Sequence, residues 1–336
     1  MRSLIFRQGI RILEATIALT ANRESLLPVL PPPLEVHSLR TDFHEVEPIP
    51  YSSNVDGKVS IIEDASVGPR YRISGTQASW EGPLTALSQR ASDPRFSLWG
   101  NLGFLYRFTL FLLERRHRIY NLHACALYEP SRHRLYVVIG GAGSGKSVYL
   151  LSGLERGLTL FSTETVHFRH EGRSVRWFMG SLADNVRVAT LRRHFPRFFP
   201  AEMDTPREDD RSRKIALDLS SYRAPEKNLV DPDCILLFPR VEEGFGKMVL
   251  RPLGDSRESS RALFANISEK LSQTTILYDR LPLPGFDSAS LAEARVEACR
   301  GLARHGATVF CASVLSHPQD CWGNLLEGKF PRRRQS

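Results

Sequence analysis

A chain of 336 residues, 42% hydrophobic and 24% charged, has room for two ordinary globular domains and excludes a fibrous or disordered class. Its net charge of +8 suits an anionic substrate and does not by itself indicate nucleic acid, which is not an expected partner. Five scattered cysteines without C-x-x-C spacing give neither a disulfide framework nor a zinc site, so a reducing cytoplasm is the expected setting.

In chain order, a helix is predicted over Arg7–Ala21, ended by the prolines Pro28, Pro31, Pro32 and Pro33. Arg2 and Arg7 are not followed by an apolar core with a small-residue cleavage site, so no targeting segment is expected. Short strands are predicted at Leu34–Leu39, Lys58–Ile62 and Arg70–Ser74, separated by Pro, Gly, Asn and Asp turn residues. The most apolar stretch, Leu98–Leu113, contains Arg107 and is too short to span a bilayer. It reads as a buried helix over Leu98–Arg116, with Leu102, Leu105, Tyr106, Leu110 and Leu113 on one stripe. Arg115, Arg116 and Arg118 near its end suit the helix dipole. Residues 1–118 therefore read as a small β-rich N-terminal domain carrying no evident catalytic feature.

The pattern then changes. A strand-like run, Tyr120–Tyr128, turns at Glu129-Pro130-Ser131 into the apolar strand Leu135–Ile139. That strand breaks into Gly140-Gly141-Ala142-Gly143-Ser144-Gly145-Lys146-Ser147, a full G-x-x-x-x-G-K-[ST], and a helix follows from Val148 to Arg156. Glycines let the backbone approach an anion with its N–H groups turned inward at a helix N-terminus. Lys146 would reach the β- and γ-phosphates, and the Ser147 hydroxyl would hold Mg²⁺. After the cap Gly157 come a strand, the polar turn Ser162-Thr163-Glu164, and a second strand containing His167. The segment Gly180–Arg187 is polar and turn-like enough to line a cleft, without an assigned mechanism. Asp204–Lys214 reads as a charged mobile loop. Its Arg207, Arg211, Arg213 and Lys214 either clamp an anionic group or form a solvated charge run. Later strands are expected at Cys234–Pro239, Lys247–Leu250, Thr275–Tyr278 and Thr308–Cys311, with helices at Ser256–Ser272 and Ser288–Arg304.

A phosphate loop needs an acid to hold Mg²⁺. Glu164 and Asp279, which closes the strand Thr275–Tyr278, both qualify. The run Leu122-His123-Ala124-Cys125-Ala126-Leu127, the hairpin, the loop with its helix, and Gly157–Glu164 together resemble the HPr kinase/phosphorylase and ATP-dependent phosphoenolpyruvate carboxykinase superfamily. Met248–Leu253 and the following helix resemble the C-terminal part of HPr-kinase-like proteins. The resemblance covers roughly residues 119–272. It implies an α/β P-loop core over 119–325 and assigns the metal to Glu164 with Ser147; the charge run Lys329, Arg332, Arg333 and Arg334 separately reads as a solvated basic tail over 326–336. The resemblance further implies ATP and Mg²⁺ as cofactors, Lys146, Glu164 and His123 as catalytic residues, and transfer of the γ-phosphoryl group to a hydroxyl. That hydroxyl would belong to a protein or peptide serine or to a small molecule. HPr kinases are hexamers, so a homo-oligomer is also implied.

The family's paired acids are replaced here by Thr163-Glu164, leaving one carboxylate. Glu164 would then serve both metal and acceptor, or His123 or His167 would act as general base. Two alternatives follow: an ATP-binding regulatory pseudoenzyme, or a generic P-loop NTPase that uses Asp279.

Overall fold

The structure, a computed structural model, describes residues 4–83, 98–101, 103–200, 212–241, 248–253, 256–277, 281–313 and 318–329. It is mixed α/β, with six α-helices among the described residues. The chain forms two compact units, one of Met1–Ile119 with Ser268–Ala292, the other of Tyr120–Ile267 with Glu293–Ser336. No helix among the described residues is long and apolar enough to cross a membrane.

The first unit opens with β1 (Phe6–Ile12) and β2 (Ala15–Ala21), an antiparallel hairpin paired from Phe6↔Ala21 to Ile12↔Ala15. The helix expected over Arg7–Ala21 is thus absent. Ile10 and Ile12 are buried on either side of exposed Arg11, and Ala15, Ile17, Leu19 and Ala21 are buried at alternate positions. That period of two is a strand pattern, in a sequence rich in β-branched residues. Leu34–Leu39 does not form a strand either; it runs as turns into a short 3₁₀ turn at Leu39–Thr41. Three successive prolines leave the preceding backbone without donors for a ladder.

Next come β3 (Val46–Ile49), β4 (Gly57–Glu63), β5 (Arg70–Ser74) and β6 (Gln77–Gly82). With β1 and β2 they make a six-stranded sheet in the order β3-β1-β2-β4-β6-β5. Helix α1 (Phe104–Leu112) is buried along its whole length and continues as one wider turn over Leu113–His117, ended by Arg118 at φ 56°. Phe108 and Leu112 lie so close over Gly57 that a side chain there would collide with both.

The second unit begins with β7 (Tyr120–Glu129) and β8 (Arg134–Ile139), joined by the short turn Pro130–Arg132. Then follow α2 (Lys146–Glu155), β9 (Thr159–Ser162), β10 (Thr165–Glu171), β11 (Ser174–Phe178), β12 (Ala183–Arg187), α3 (Val188–His194), β13 (Lys214–Asp218), β14 (Asn228–Val230), β15 (Asp233–Val241), β16 (Val249–Pro252) and α4 (Ser256–Ser272). The strands β17 (Thr275–Leu277) and β18 (Leu281–Leu283) pair with each other within the first unit. Helix α5 (Ala289–His305), β19 (Ala307–Ser313) and α6 (Pro318–Leu326) complete the chain.

One mixed sheet organises this unit, in the order β14-β11-β10-β7-β8-β15-β19-β16, with β9 also on β7. β8, β15 and β19 are parallel neighbours, whereas β7 runs antiparallel to β8. All of β8 is buried, and Cys234–Leu237 of β15 likewise, as continuous apolar runs suit strands covered on both faces. α2 lies against β7 and β8, and Gly153 lets it approach Leu127 and the Trp322 ring of α6. The Trp322 indole N–H donates to the Tyr149 carbonyl at 2.9 Å. Truncating a fully buried α2 residue such as Leu151 to Ala costs about 2–5 kcal/mol.

Candidate functional site

The glycine-rich loop leaves the sheet beside the histidine of β7: the Gly140 N–H donates to the His123 carbonyl at 3.1 Å. Gly143 and Gly145 adopt φ of +82° and +97°, a region in which a side chain is strained. At Gly145 a side chain would also collide with Val241. Gly145 is the N-cap of α2, so the loop ends at the helix's positive pole, with Ala142 and Gly143 exposed. Ser144 Oγ is buried within the loop and has no hydrogen-bond partner. Lys146 is 7% exposed. Its Nζ donates to the Gly140 and Gly141 carbonyls at 2.9 and 3.2 Å and lies 2.9 Å from His123 Nε2.

Strand alternation aims His123 and Cys125 at α2, and both reach Lys146. The Cys125 thiol donates to the Lys146 carbonyl at 3.5 Å, and burial pushes its pKa up. His123 is 3% exposed and is fixed through its backbone by Asn266 of α4. Its N–H donates to Asn266 Oδ1 at 2.9 Å, and the Asn266 amide donates to its carbonyl at 3.3 Å. His123 Nε2 is also 2.9 Å from Glu164 Oε1. One ring nitrogen cannot donate to a carboxylate and accept from an ammonium at the same time. A proton on Nε2 ties the ring to Glu164; a bare Nε2 ties it to Lys146.

Glu164 sits in the turn between β9 and β10, where its carbonyl accepts from Ala124 N–H at 3.1 Å. The side chain is 26% exposed. Thr163, the neighbour of Glu164 in this turn, performs a different task. Its N–H donates to the Ser181 carbonyl at 2.9 Å, and its hydroxyl reaches the carbonyls of Ser181 at 3.2 Å and Ala183 at 2.7 Å. Gly180 makes this approach possible, because a side chain there would overlap the Thr165 carbonyl and Ser162. The segment so anchored delivers Asp184.

Asp184 is the residue that sequence reasoning missed. It is 2% exposed and accepts hydrogen bonds from the Ser147 hydroxyl and the Asn185 N–H, while its Oδ2 is buried with no hydrogen-bond partner. Burial and the neighbouring Glu164 charge raise its pKa to about 6, against the opposing pull of Ser147 and Lys146. The site therefore holds two carboxylates rather than one. The one signal was the polar stretch Gly180–Arg187, which is not a turn throughout: Ala183–Arg187 is strand β12.

The other sequence expectations divide. His167 lies on β10 opposite Asn121 and is fully buried, and desolvation lowers its pKa to about 3. A ring held neutral in this way is a poor base, as its proton affinity is too low. Lys214 pairs with Arg187 at the far end of the β12–β13 ladder, three residues and roughly 10 Å of strand from Asp184. Lys214 does not join the cluster. Arg207, Arg211, Asp279 and Arg332–Arg334 lie outside the described residues. The strand leading to Asp279, β17, pairs with β18, and the parallel neighbour of β8 is β15. Glu164 stands beside the loop, 2.9 Å from the His123 ring nitrogen that also meets Lys146.

Ser147, Glu164 and Asp184 offer hard oxygen ligands. Among the described residues no group of three or more His, Cys, Asp and Glu encloses a metal position. Mg²⁺ is commonly held by one or two protein oxygens together with substrate phosphates and water, so this donor set fits it. No protein-family model matches this sequence, and no curated protein aligns significantly with it.

Proposed function

We propose that this protein is an ATP-dependent phosphotransferase with an HPr-kinase-like core, which passes the γ-phosphoryl group to an acceptor hydroxyl. The observation that carries the reading is the meeting of Lys146, His123, Glu164, Ser147 and Asp184 at the end of a complete phosphate loop. Loop N–H groups and Lys146 bind the phosphates. Bound Mg²⁺ supplies charge neutralisation there, and Ser147 with Asp184 are the oxygens that would hold it. The uncoordinated Oδ2 of Asp184 and the orphan Ser144 hydroxyl are polar atoms that such ligands would satisfy.

Glu164 accepts the proton of the attacking hydroxyl, with His123 Nε2 at 2.9 Å to stabilise and relay it. Lys146 is released from His123 as that nitrogen becomes protonated, which frees the ammonium for the phosphate oxygens. The regulatory pseudoenzyme reading rested on a missing second carboxylate, and Asp184 beside Ser147 favours the kinase reading over it. The acceptor is a hydroxyl on a protein, a peptide or a small molecule.

The test is transfer of γ-labelled phosphate from ATP·Mg²⁺ to components of a crude extract, comparing wild type with Lys146→Ala, Glu164→Gln and Asp184→Asn. The expected result is labelling that falls by about 10²–10⁴-fold in Glu164→Gln. Tight ATP binding without transfer by the wild type would instead favour the regulator.

A further inference from the structure

A second basic site stands apart from the phosphate loop. Helices α4 and α5 border an open pocket of about 450 Å³ lined by four arginines, Arg257, Arg261, Arg300 and Arg304. Four arginines, all of them exposed, thus line one space, and no carboxylate is among the described residues that line it. On each helix the arginines are four residues apart, Arg257 with Arg261 and Arg300 with Arg304. That spacing puts like charges side by side and weakens an isolated helix. Arg257 is worse placed still, since α4 starts at Ser256 and a cation in the first turn opposes the dipole.

The surroundings relieve only part of this. Glu297 pairs with Arg300 at 2.9 Å, but both side chains are more than half exposed and the pair is weak. Arg304 in the last turn of α5 does suit the dipole. Beneath the rim, Arg295 is fully buried with its guanidinium 5.8 Å from the Phe264 ring centre. Phe264, Val296 and Cys299 supply an apolar base. Like charges gathered around one concave surface over an apolar base make a receptor for an anion.

We infer that this cavity binds a small anion carrying at least two phosphate-type charges, with its body against Phe264 and Val296. Guanidinium forks match phosphate oxygens in a bidentate manner, and the volume is that of a small-molecule pocket. The site is independent of the phosphoryl-transfer reading, although α4 leads from the pocket to Asn266, the residue that clamps the backbone of His123.

The experiment is calorimetric titration of the full chain with inorganic pyrophosphate at physiological salt. A Lys146→Ala background removes binding at the phosphate loop. One equivalent should bind, and Arg261→Ala and Arg300→Ala should each weaken binding by about 10- to 100-fold. Arg261→Lys should recover only part of it, and the control Arg72→Ala, outside the pocket, should bind as the background does. Thermal melts confirm that each variant is folded. Absence of saturable binding, or equal affinity in Arg261→Ala, would overturn the site. Citrate binding as tightly as pyrophosphate would overturn the phosphate assignment.

Discussion

Replacing Asp184 by Asn should stabilise the free protein while abolishing its activity, and the stabilisation should appear only above a definite pH. The carboxyl group has its pKa raised from 3.8 to about 6 by burial and by Glu164. Keeping it ionised in the fold therefore costs roughly 3 kcal/mol relative to the unfolded chain. The folded state holds the proton more tightly, so this contribution falls as pH rises from about 4 to about 6 and the full cost is present above. Asparagine keeps an acceptor for the Ser147 hydroxyl and carries no charge. The melting temperature of Asp184→Asn should thus match wild type near pH 4 and exceed it by roughly 6–12 °C at pH 8, for a unit of this size. Scanning calorimetry across pH measures this directly. Adding ATP·Mg²⁺ should raise the wild-type melting point and leave the variant nearly unmoved. A variant less stable than wild type at pH 8, or a difference independent of pH, would show Asp184 to be an ordinary structural acid.

His167, whose pKa burial lowers to about 3, makes the opposite demand. Its contribution is complete above pH 6.5 and is lost as pH falls toward 3, amounting to about 5 kcal/mol; denaturant melts of His167→Leu should show a flattened acid limb. Gly180→Ala drives a methyl into the Thr165 carbonyl, and should cost about 1–3 kcal/mol and reduce activity together with Asp184's placement, as read by urea melts and by turnover. Asn266→Ala removes two hydrogen bonds to the His123 backbone, worth about 1–3 kcal/mol, and should lower kcat more than it raises KM for ATP.

Features set by near neighbours were legible in the sequence. The phosphate loop, its flanking strand and helix, and the turn bearing Glu164 all depend on contiguous residues, and the structure places them as expected. Where the reading failed, distant pairing decided. Arg7–Ala21 holds fair helix formers, but its alternating isoleucines are buried through pairing with Val46–Ile49 and Gly57–Ile61. Asp184 escaped notice because its role depends on Thr163, whose side chain donates to Ala183 across the fold. No local spacing encodes that contact. A threonine where the resemblance implied a second acid read as a loss, whereas its hydroxyl anchors the segment that carries another acid.

The first unit is assembled from segments far apart in synthesis. Phe104, Phe108 and Phe111 of α1 all meet Phe286, with ring centres 5.5–6.0 Å apart. The Arg107 guanidinium donates to the Gln273 carbonyl, and the Tyr71 hydroxyl donates to Pro282 at 2.7 Å. On the ribosome, the N-terminal strands and α1 must wait until residue 286 has emerged, by which time every strand of the phosphate-loop sheet except β19 has been made. Through that interval an aromatic face is bare, a ready target for holdase chaperones and for aggregation. Vectorial folding is thus reversed here: the segment made first is among the last to close, and a fragment cut after Arg118 would lack the ring that covers it.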